Sequence, residues 1–375
     1  MLVDDLSTLV GFPTVSNRPV VELAAWLAQR FEDLGFTVER FQDPDEAGKC
    51  SLICTVGPPS VNGLVLSGHM DVVPTEGQPW TSDPFVLTER DGRLYGRGSA
   101  DMKGFFACTL AALARIPATA YKRELTLIWT HDEEVGCLGS AKLVRAWDAQ
   151  ERPLPRACLI GEPTDFKILR MHPGHVGLEI ALTGSAAHSS RPDLGCNAIE
   201  AAADVVSETR ALARELEGEL ANLPELERPW VAMNVANIHG GSAINIVPDR
   251  CVVQVGYRPL PGTDPEEVFR RLRDRVMGLD LAAHVEARLL RVTPSMLTET
   301  DTELQHLLSH HASDPVIGAA GFATDGANLA KLGCAPLIFG PGSIDVAHQA
   351  DEYVPLSQLH QAVDAIEGIV RTRCC

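Results

Sequence analysis

One segment decides the fold of this chain: residues 124–134 read ELTLIWTHDEE. In it, an apolar run of strand length passes directly into a histidine and three carboxylates. A short, continuous apolar run is typical of a strand buried on both faces of a sheet, as in parallel sheets covered by helices. The segment therefore predicts a buried strand over residues 124–130 that ends in side chains able to carry chemistry.

The rest of the first third of the chain alternates between strand and helix patterns around this segment. The predicted strands are residues 37–41, 52–56, 63–68, 124–130 and 157–160. The predicted helices are one capped by Ser16 and ended by Gly35, and others at residues 103–115 and 138–147. Such alternation favours an α/β fold with a mostly parallel sheet and helices on both of its faces.

The pattern changes at about residue 174. The predicted order there is strand 176–183, helix 196–217, strands 230–238 and 250–257, helix 264–277 and strand 284–291. This β-α-β-β-α-β order is that of the ferredoxin-like α+β fold. After residue 292 the α/β pattern resumes, with a strand at 336–339 and a final helix at 356–371. We therefore expect an α/β domain, residues 1–173 and 292–375, interrupted by an inserted α+β domain, residues 174–291.

Composition excludes several classes of protein. The chain has 375 residues, of which 45% are apolar and 22% charged, as in ordinary globular proteins. Its net charge of −18 repels nucleic-acid backbones and favours small or cationic substrates. The longest nearly apolar run, residues 104–114, is too short to cross a bilayer, and the acidic first residues favour a cytoplasmic protein. Ten scattered cysteines without a CxxC pair indicate reduced structural thiols.

Groups able to bind metal recur where the predicted strands end or helices begin. They are Gly68-His69-Met70-Asp71, Asp101-Met-Lys-Gly104, His131-Asp132-Glu133-Glu134, Gly161-Glu162-Pro163-Thr164 and Val346-Ala-His348-Gln-Ala-Asp-Glu352. Each group alone could be a solvated turn. In open α/β sheets, however, ligands bind outside the carboxyl ends of the strands. Together the groups therefore predict one shared site.

The kinds of ligand in these groups indicate a pair of metal ions. Histidine and carboxylate without cysteine suit Zn²⁺, Co²⁺ or Mn²⁺ in a catalytic site better than a thiolate-rich structural zinc site. Adjacent buried carboxylates repel each other unless cations neutralise them. Three carboxylates and one hydroxide balance two divalent ions, and a carboxylate such as Asp101 can bridge two ions about 3.5–4 Å apart.

Five motifs, in this order, resemble those of the co-catalytic zinc amidohydrolases. They are His69-x-Asp71, Gly98-Ser-Ala-Asp101-Met-Lys-Gly104, Asp132-Glu133-Glu134, Gly161-Glu-Pro-Thr164 and Ala347-His348. This family includes aminoacylase, carboxypeptidase G, succinyl-diaminopimelate desuccinylase and acetylornithine deacetylase, and the resemblance covers nearly the whole chain. Segments 171–175, 239–245, 257–262 and 340–344 are similar to the acetylornithine deacetylase branch, whereas loop 323–326 resembles the desuccinylases only loosely.

The resemblance implies a role for each metal-site residue. Asp101 would bridge the two ions. His69 with Glu162 would complete one ion and His348 with Glu134 the other, although the two glutamates could be exchanged. Glu133 would be the general base, and Asp71 would orient the imidazole of His69.

The resemblance also implies roles in the inserted domain, which would serve as lid and dimerisation domain. His188 would donate a hydrogen bond to the oxyanion, in cis or across a homodimer. Arg258 and Asn245 would hold the α-carboxylate of the substrate, because a guanidinium forms a fork that matches a carboxylate.

The expected activity is deacetylation of an N-acyl amino acid, N²-acetyl-L-ornithine, to L-ornithine and acetate, a step of arginine biosynthesis. The alternatives are succinyl-diaminopimelate desuccinylase, a general aminoacylase, and a metallo-dipeptidase or carboxypeptidase. A desuccinylase should offer extra cations, and no second arginine cluster is evident near the motifs. A binding protein on a decayed hydrolase fold is disfavoured by the intact Glu133, and a metal-storage or redox protein by the lack of CxxC and His-rich tracts.

Overall fold

The computed structural model describes residues 2–16, 18–148 and 152–375. The chain divides into two compact units. The first unit comprises Met1–Met171, Thr298–Gly318 and Thr324–Cys375, and the second comprises His172–Leu297 and Ala319–Ala323. In the described part of the chain, no helix combines the length and the apolar character needed to span a membrane.

Helices and strands are numbered along the whole chain. The helices are α1 (Leu2–Val10), α2 (Val21–Asp33), α3 (Lys103–Leu113), α4 (Leu138–Asp148), α5 (Ala198–Gly218), α6 (Glu267–Met277), α7 (Glu303–Ser309), α8 (Gly326–Leu329) and α9 (Leu356–Cys374). The strands are β1 (Thr37–Gln42), β2 (Cys50–Val56), β3 (Leu64–His69), β4 (Thr88–Arg90), β5 (Arg93–Tyr95), β6 (Leu125–Thr130), β7 (Ala157–Ile160), β8 (Lys167–His172), β9 (His175–Thr183), β10 (Met233–Gly240), β11 (Arg250–Tyr257), β12 (His284–Thr293), β13 (Met296–Leu297), β14 (Asp314–Ala319), β15 (Ala335–Ile338) and β16 (Tyr353–Pro355).

A large sheet in the order β1-β2-β6-β3-β7-β15-β8 forms the centre of the first unit. Its four central strands, β6, β3, β7 and β15, run parallel, whereas β2 followed by β1 on one side and β8 on the other side join antiparallel. Every residue of β3 and β6 is buried, as the apolar run of residues 124–130 predicts. Helix α3 is buried along its whole length and packs against α1 and α9.

The second unit is a four-stranded antiparallel sheet in the order β10-β11-β9-β12, with α5 and α6 packed on it. Alternate residues of β9 are buried, so one face of the sheet forms a core with the two helices. Asn197 caps α5, because its side-chain oxygen accepts hydrogen bonds from the N–H groups of Ile199 and Glu200. The predicted fold class, an α/β sheet interrupted by a ferredoxin-like unit, is confirmed.

Two details at the start of the chain differ from the sequence-based expectation. Helix α1 was not predicted, although Leu6, Leu9 and Val10 lie in the core of the first unit. The assignment of Ser16 as a helix cap is wrong, because α2 begins only at Val21 and its start has no side-chain cap. The Ser16 hydroxyl donates instead to Asp71 Oδ2 at 2.9 Å, a partner distant in sequence that no local pattern reveals.

An aromatic cluster around Trp129 of β6 fills the core of the first unit. The Trp129 ring is fully buried, with its centroid 4.4 Å from that of Phe106 and 5.9 Å from that of Phe31. Among the described residues, its buried Nε1 has no hydrogen-bond partner. The indole therefore stabilises the fold through packing alone.

We expect Trp129→Ala to lower the free energy of unfolding by about 3–5 kcal/mol, the usual cost of a large cavity in a core. Trp129→Phe should cost less, because the phenyl ring keeps part of the packing and the unsatisfied N–H is removed. Urea unfolding followed by circular dichroism measures both. Trp230→Ala, at a half-buried position of the second unit, serves as control. Equal losses for Trp129→Ala and Trp129→Phe would contradict the packing role.

Candidate metal centre

The predicted metal ligands lie at one edge of the large sheet. His69 is the last residue of β3, Glu134 follows β6, and Glu162 follows β7. Because these three neighbouring strands run parallel, their carboxyl ends meet at the same edge. Asp101 precedes α3, and His348 lies between β15 and β16. The topology thus brings together residues separated by up to 279 positions.

A first group of possible ligands consists of His69, Asp101 and Glu162, all buried, with ligand atoms within 4.8 Å of one another. His69 Nε2 lies 3.0 Å from Asp101 Oδ1 and 3.9 Å from Glu162 Oε1. His69 Nδ1 donates to the backbone carbonyl of Asp71 at 2.9 Å. This hydrogen bond fixes the tautomer, so the lone pair on Nε2 faces the two carboxylates.

A second group consists of Asp101, Glu134 and His348, whose ligand atoms are equally close. His348 Nε2 lies 2.9 Å from Glu134 Oε2 and 3.2 Å from Asp101 Oδ2. Asp101 therefore belongs to both groups, with Oδ1 towards His69 and Oδ2 towards His348. A carboxylate placed in this way can bridge two ions.

The electrostatics of these groups fit a pair of cations. Burial, together with Asp101, raises the pKa of Glu134 to about 7, and the same two causes raise the pKa of Glu162 well above its usual range. The carboxylates are thus crowded in a weakly solvated place, where their charges oppose each other. Two histidines and three carboxylates form an oxygen and nitrogen donor set of the kind found in catalytic metal sites.

A buried ion pair holds Asp101 in place. Glu352 Oε1 accepts hydrogen bonds from the backbone N–H groups of Ala100 (2.9 Å) and Asp101 (3.1 Å). Glu352 Oε2 lies 2.6 Å from Arg97 Nη1, and both side chains are almost completely buried. The motif that contains Glu352, residues 346–352, predicts metal binding but not this supporting role, because the backbone that Glu352 holds lies 251 residues away.

Asp71 contacts the loop after β6 through its carboxylate and the His69 imidazole through its backbone carbonyl. Its carboxylate accepts hydrogen bonds from the backbone N–H groups of Glu133 (3.1 Å) and Glu134 (3.3 Å). Its Oδ1 lies 3.7 Å from His69 Nδ1, which is bonded to the Asp71 carbonyl instead. The residue therefore orients both the histidine and the two glutamates, but through different atoms.

Glu133 lies beside the two groups and belongs to neither of them. Burial raises the pKa of Glu133 well above its usual range, and the carboxylates of Glu162 and Asp325 add to this rise although His69 opposes it. A carboxyl group whose pKa is raised towards neutrality is suited to accept and return a proton.

The other predicted site residues, His188, Asn245 and Arg258, lie in the second unit. His188 Nδ1 is bonded to Ser190 Oγ at 2.8 Å, and the Asn245 carbonyl accepts from the N–H of Ser189 at 3.1 Å. The loops that carry His188 and Asn245 are therefore neighbours within this unit.

Arg258 follows β11 and lines a cavity of about 340 Å³ with Trp230 and Leu260. Burial, together with Arg291, lowers the pKa of Arg258. Arg291 Nη2 lies 2.5 Å from His175 Nδ1, and burial with the two arginines lowers the pKa of His175 to about 4. Arg291 of β12 is thus a second cation near Arg258, and the expectation that no second arginine cluster lies near the motifs stays a prediction.

The chain is similar to known proteins over most of its length. Residues 65–372 match peptidase family M20/M25/M40. The chain is 36% identical to acetylornithine deacetylase of Myxococcus xanthus over 362 residues, which cover 94% of this chain and 92% of the relative. It is 35% identical to acetylornithine deacetylase of Klebsiella pneumoniae over 365 residues, with 96% and 92% covered.

Solved structures show the same fold. A tripeptidase from Staphylococcus aureus superposes with a TM-score of 0.77 at 21% identity, with 99% of this chain and 97% of the other covered. A dinuclear metal-binding M20 peptidase from Bacillus subtilis superposes with a TM-score of 0.69 at 15% identity, with 99% and 97% covered. The family match spans more than half of the chain, and the resemblance inferred from the motifs is confirmed: the chain belongs to peptidase family M20/M25/M40 and is a hydrolase of that family.

Proposed function

We propose that this chain is a two-metal amidohydrolase that removes the acetyl group from N²-acetyl-L-ornithine. The observation that carries the proposal is the carboxylate of Asp101, which faces His69 with one oxygen and His348 with the other. The substrate is supported by the 36% identity to an acetylornithine deacetylase over nearly the full chain.

His69, Glu162 and Asp101 would hold one divalent ion, and His348, Glu134 and Asp101 the other. Zn²⁺ suits this donor set best, and Co²⁺ or Mn²⁺ would also fit it. When bound, two such ions lower the pKa of a water molecule and polarise the amide carbonyl. Neither effect supplies the proton that the departing nitrogen needs.

Glu133 would supply that proton. As general base it removes a proton from the attacking water, and as general acid it returns the proton to the nitrogen when the amide bond breaks. The Asp71 carboxylate accepts hydrogen bonds from the backbone N–H groups of Glu133 and Glu134, and these bonds fix the positions of the proposed base and the proposed ligand relative to each other. His188 would donate a hydrogen bond to the oxygen that becomes negative.

Arg258, together with Asn245, would bind the α-carboxylate of the substrate. The net charge of −18 would attract the cationic ornithine side chain at low ionic strength. Arg291 beside Arg258 favours a second candidate, succinyl-diaminopimelate desuccinylase, because its substrate carries additional carboxylates.

We also propose a cytoplasmic homodimer that forms through the second unit. The ten cysteines are unpaired, and most are buried, as in proteins of a reducing compartment. The edge strand β10 is largely exposed and carries Ile238, and the nearby Ile244 is fully exposed. An exposed apolar edge strand is a ready site for pairing with a second copy.

A substrate panel tests the proposed activity. We expect faster turnover of N²-acetyl-L-ornithine than of N-succinyl-diaminopimelate, N-acetylmethionine or a dipeptide. Arg258→Ala should raise KM by about 10- to 100-fold, more than it lowers kcat, because a charged hydrogen bond made in both ground and transition state is lost. Faster turnover of N-succinyl-diaminopimelate, together with a KM for it that depends on Arg291, would replace the deacetylase by the desuccinylase.

The two adjacent glutamates provide a matched pair of variants. Glu133→Gln should keep two ions per chain and lose about 10²–10⁴-fold in kcat, the usual range for general acid–base catalysis. Glu134→Gln should instead lose bound metal, because it removes a ligand charge. Elemental analysis and steady-state kinetics separate the two effects. If Glu133→Gln loses metal while Glu134→Gln retains it, the two roles must be exchanged.

Mixed oligomers test the dimer. If His188 acts across the interface, inactive His188→Ala and inactive Glu133→Ala chains should regain about a quarter of the wild-type sites when mixed, since a heterodimer contains one intact site. Ile238→Lys should weaken association, because a charge on an edge strand opposes pairing. Light scattering and activity of the mixture are the measurements. A monomer with full activity would contradict this proposal without affecting the metal site.

A further inference from the structure

The thiol of Cys137 contacts the carboxylate of Glu133, the proposed general base. Cys137 Sγ is 3.3 Å from Glu133 Oε1 and donates a hydrogen bond to it. The two residues face each other across a tight turn, in which the N–H groups of Gly136 and Cys137 both donate to the Glu133 carbonyl at 2.8 Å. Cys137 is 1% exposed, so no reagent from solution has ready access to it.

The backbone of Cys137 is held by a buried polar cluster. Its carbonyl accepts hydrogen bonds from Asn328 Nδ2 at 3.3 Å and from Ser140 Oγ at 3.1 Å. Ser140 Oγ also lies 2.5 Å from Asp325 Oδ1, and Asn328 Nδ2 lies 2.9 Å from Ser140 Oγ. All of these side chains are buried, and their hydrogen bonds fix the Cys137 backbone and with it the position of the thiol.

The Cys137 thiol is suited to donate a hydrogen bond and unsuited to act as a nucleophile. Burial, with the negative charges of Glu133 and Asp325, raises the pKa of Cys137 well above its usual range. The sulfur therefore keeps its proton at neutral pH, and a protonated thiol is a hydrogen-bond donor rather than a nucleophile.

A general base benefits from such a contact. A glutamate side chain has several rotatable bonds, and a base must come within about 2.6–3.2 Å of the atom that carries the proton it removes. A donor aimed at one oxygen of Glu133 selects one orientation of the carboxylate.

We propose that Cys137 is a positioning residue, whose thiol holds Oε1 of Glu133 so that Oε2 accepts the proton and returns it. This inference rests on the proposed role of Glu133 as general base. The Asn328–Ser140–Asp325 cluster supports the thiol by holding the Cys137 backbone.

Two variants separate positioning from packing. Cys137→Ala removes the donor, whereas Cys137→Ser keeps a hydroxyl donor, and both variants keep a Cβ at the backbone φ of 58°. We expect Cys137→Ala to lower kcat by about 5- to 30-fold, the effect of one hydrogen bond to a charged group, with KM and the metal content unchanged. Cys137→Ser should restore kcat to within about threefold of the wild type, because a hydroxyl donates to the same oxygen.

Cys374→Ala is the matched control. Cys374 is also 1% exposed, and its thiol donates to the backbone carbonyl of Glu124 at 3.5 Å. Glu124 precedes β6, whereas Glu133 follows it, so the control thiol lies at the opposite end of this strand. Cys374→Ala should lower thermal stability and leave kcat unchanged. An equal loss of kcat in both Ala variants would show a general packing effect and overturn the inference.

An infrared measurement tests the hydrogen bond between Cys137 and Glu133 independently of enzyme activity. The S–H stretching band of Cys137, identified as the band absent from Cys137→Ser, should shift to higher frequency in Glu133→Ala, because the acceptor is gone. An unshifted band overturns the inference, and this measurement remains possible if Cys137→Ala fails to fold.

Wild-type kcat in Cys137→Ala, alongside an inactive Glu133→Gln, would rule out the positioning role and leave the proposed function unaffected. Wild-type kcat in Glu133→Gln removes both.

Discussion

The first unit is organised around one buried carboxylate that belongs to both groups of possible metal ligands. Asp101 is 4% exposed, and it faces a histidine with each of its oxygens. A buried carboxylate is costly unless its charge is matched. The two cations proposed for this site would provide that match, and the backbone N–H groups of Ala100 and Asp101, bonded to Glu352, hold Asp101 in place. The convergence of three parallel strands at this edge then places the remaining ligands within reach.

Several parts of this arrangement could be predicted from the sequence because their signals are local. An apolar run followed by His131 to Glu134 predicted β6 and the polar loop at its end. The predicted strand 176–183 is β9, His175–Thr183, along which buried and half-buried residues alternate. In each case the pattern extends over neighbouring residues. The sheet topology then brings the polar residues together, because parallel strands end at the same edge.

Other contacts had no local signal. Ser16 was taken for a helix cap, yet its partner Asp71 is 55 residues away. Glu352 supports Asp101 across 251 residues, and nothing near Glu352 in the sequence indicates this. Arg291 was not connected with Arg258, because their proximity depends on how β12 and β11 pair with β9. The surroundings of Arg258, the residue proposed to bind the substrate, therefore depend on strand register, which a single sequence does not display.

The position of β15 has a consequence for the order in which the protein acquires its structure. This strand, Ala335–Ile338, lies between β7 and β8, which precede it by more than 160 residues. On the ribosome, β7 and β8 therefore emerge long before the strand that joins them, whereas most of the second unit is contiguous, from His172 to Leu297. Because contacts close in sequence form first, the second unit can fold while the large sheet is still open. The unpaired edge of β7 is then exposed for the whole of that interval, which makes this strand the point at which a nascent chain is most open to wrong pairing.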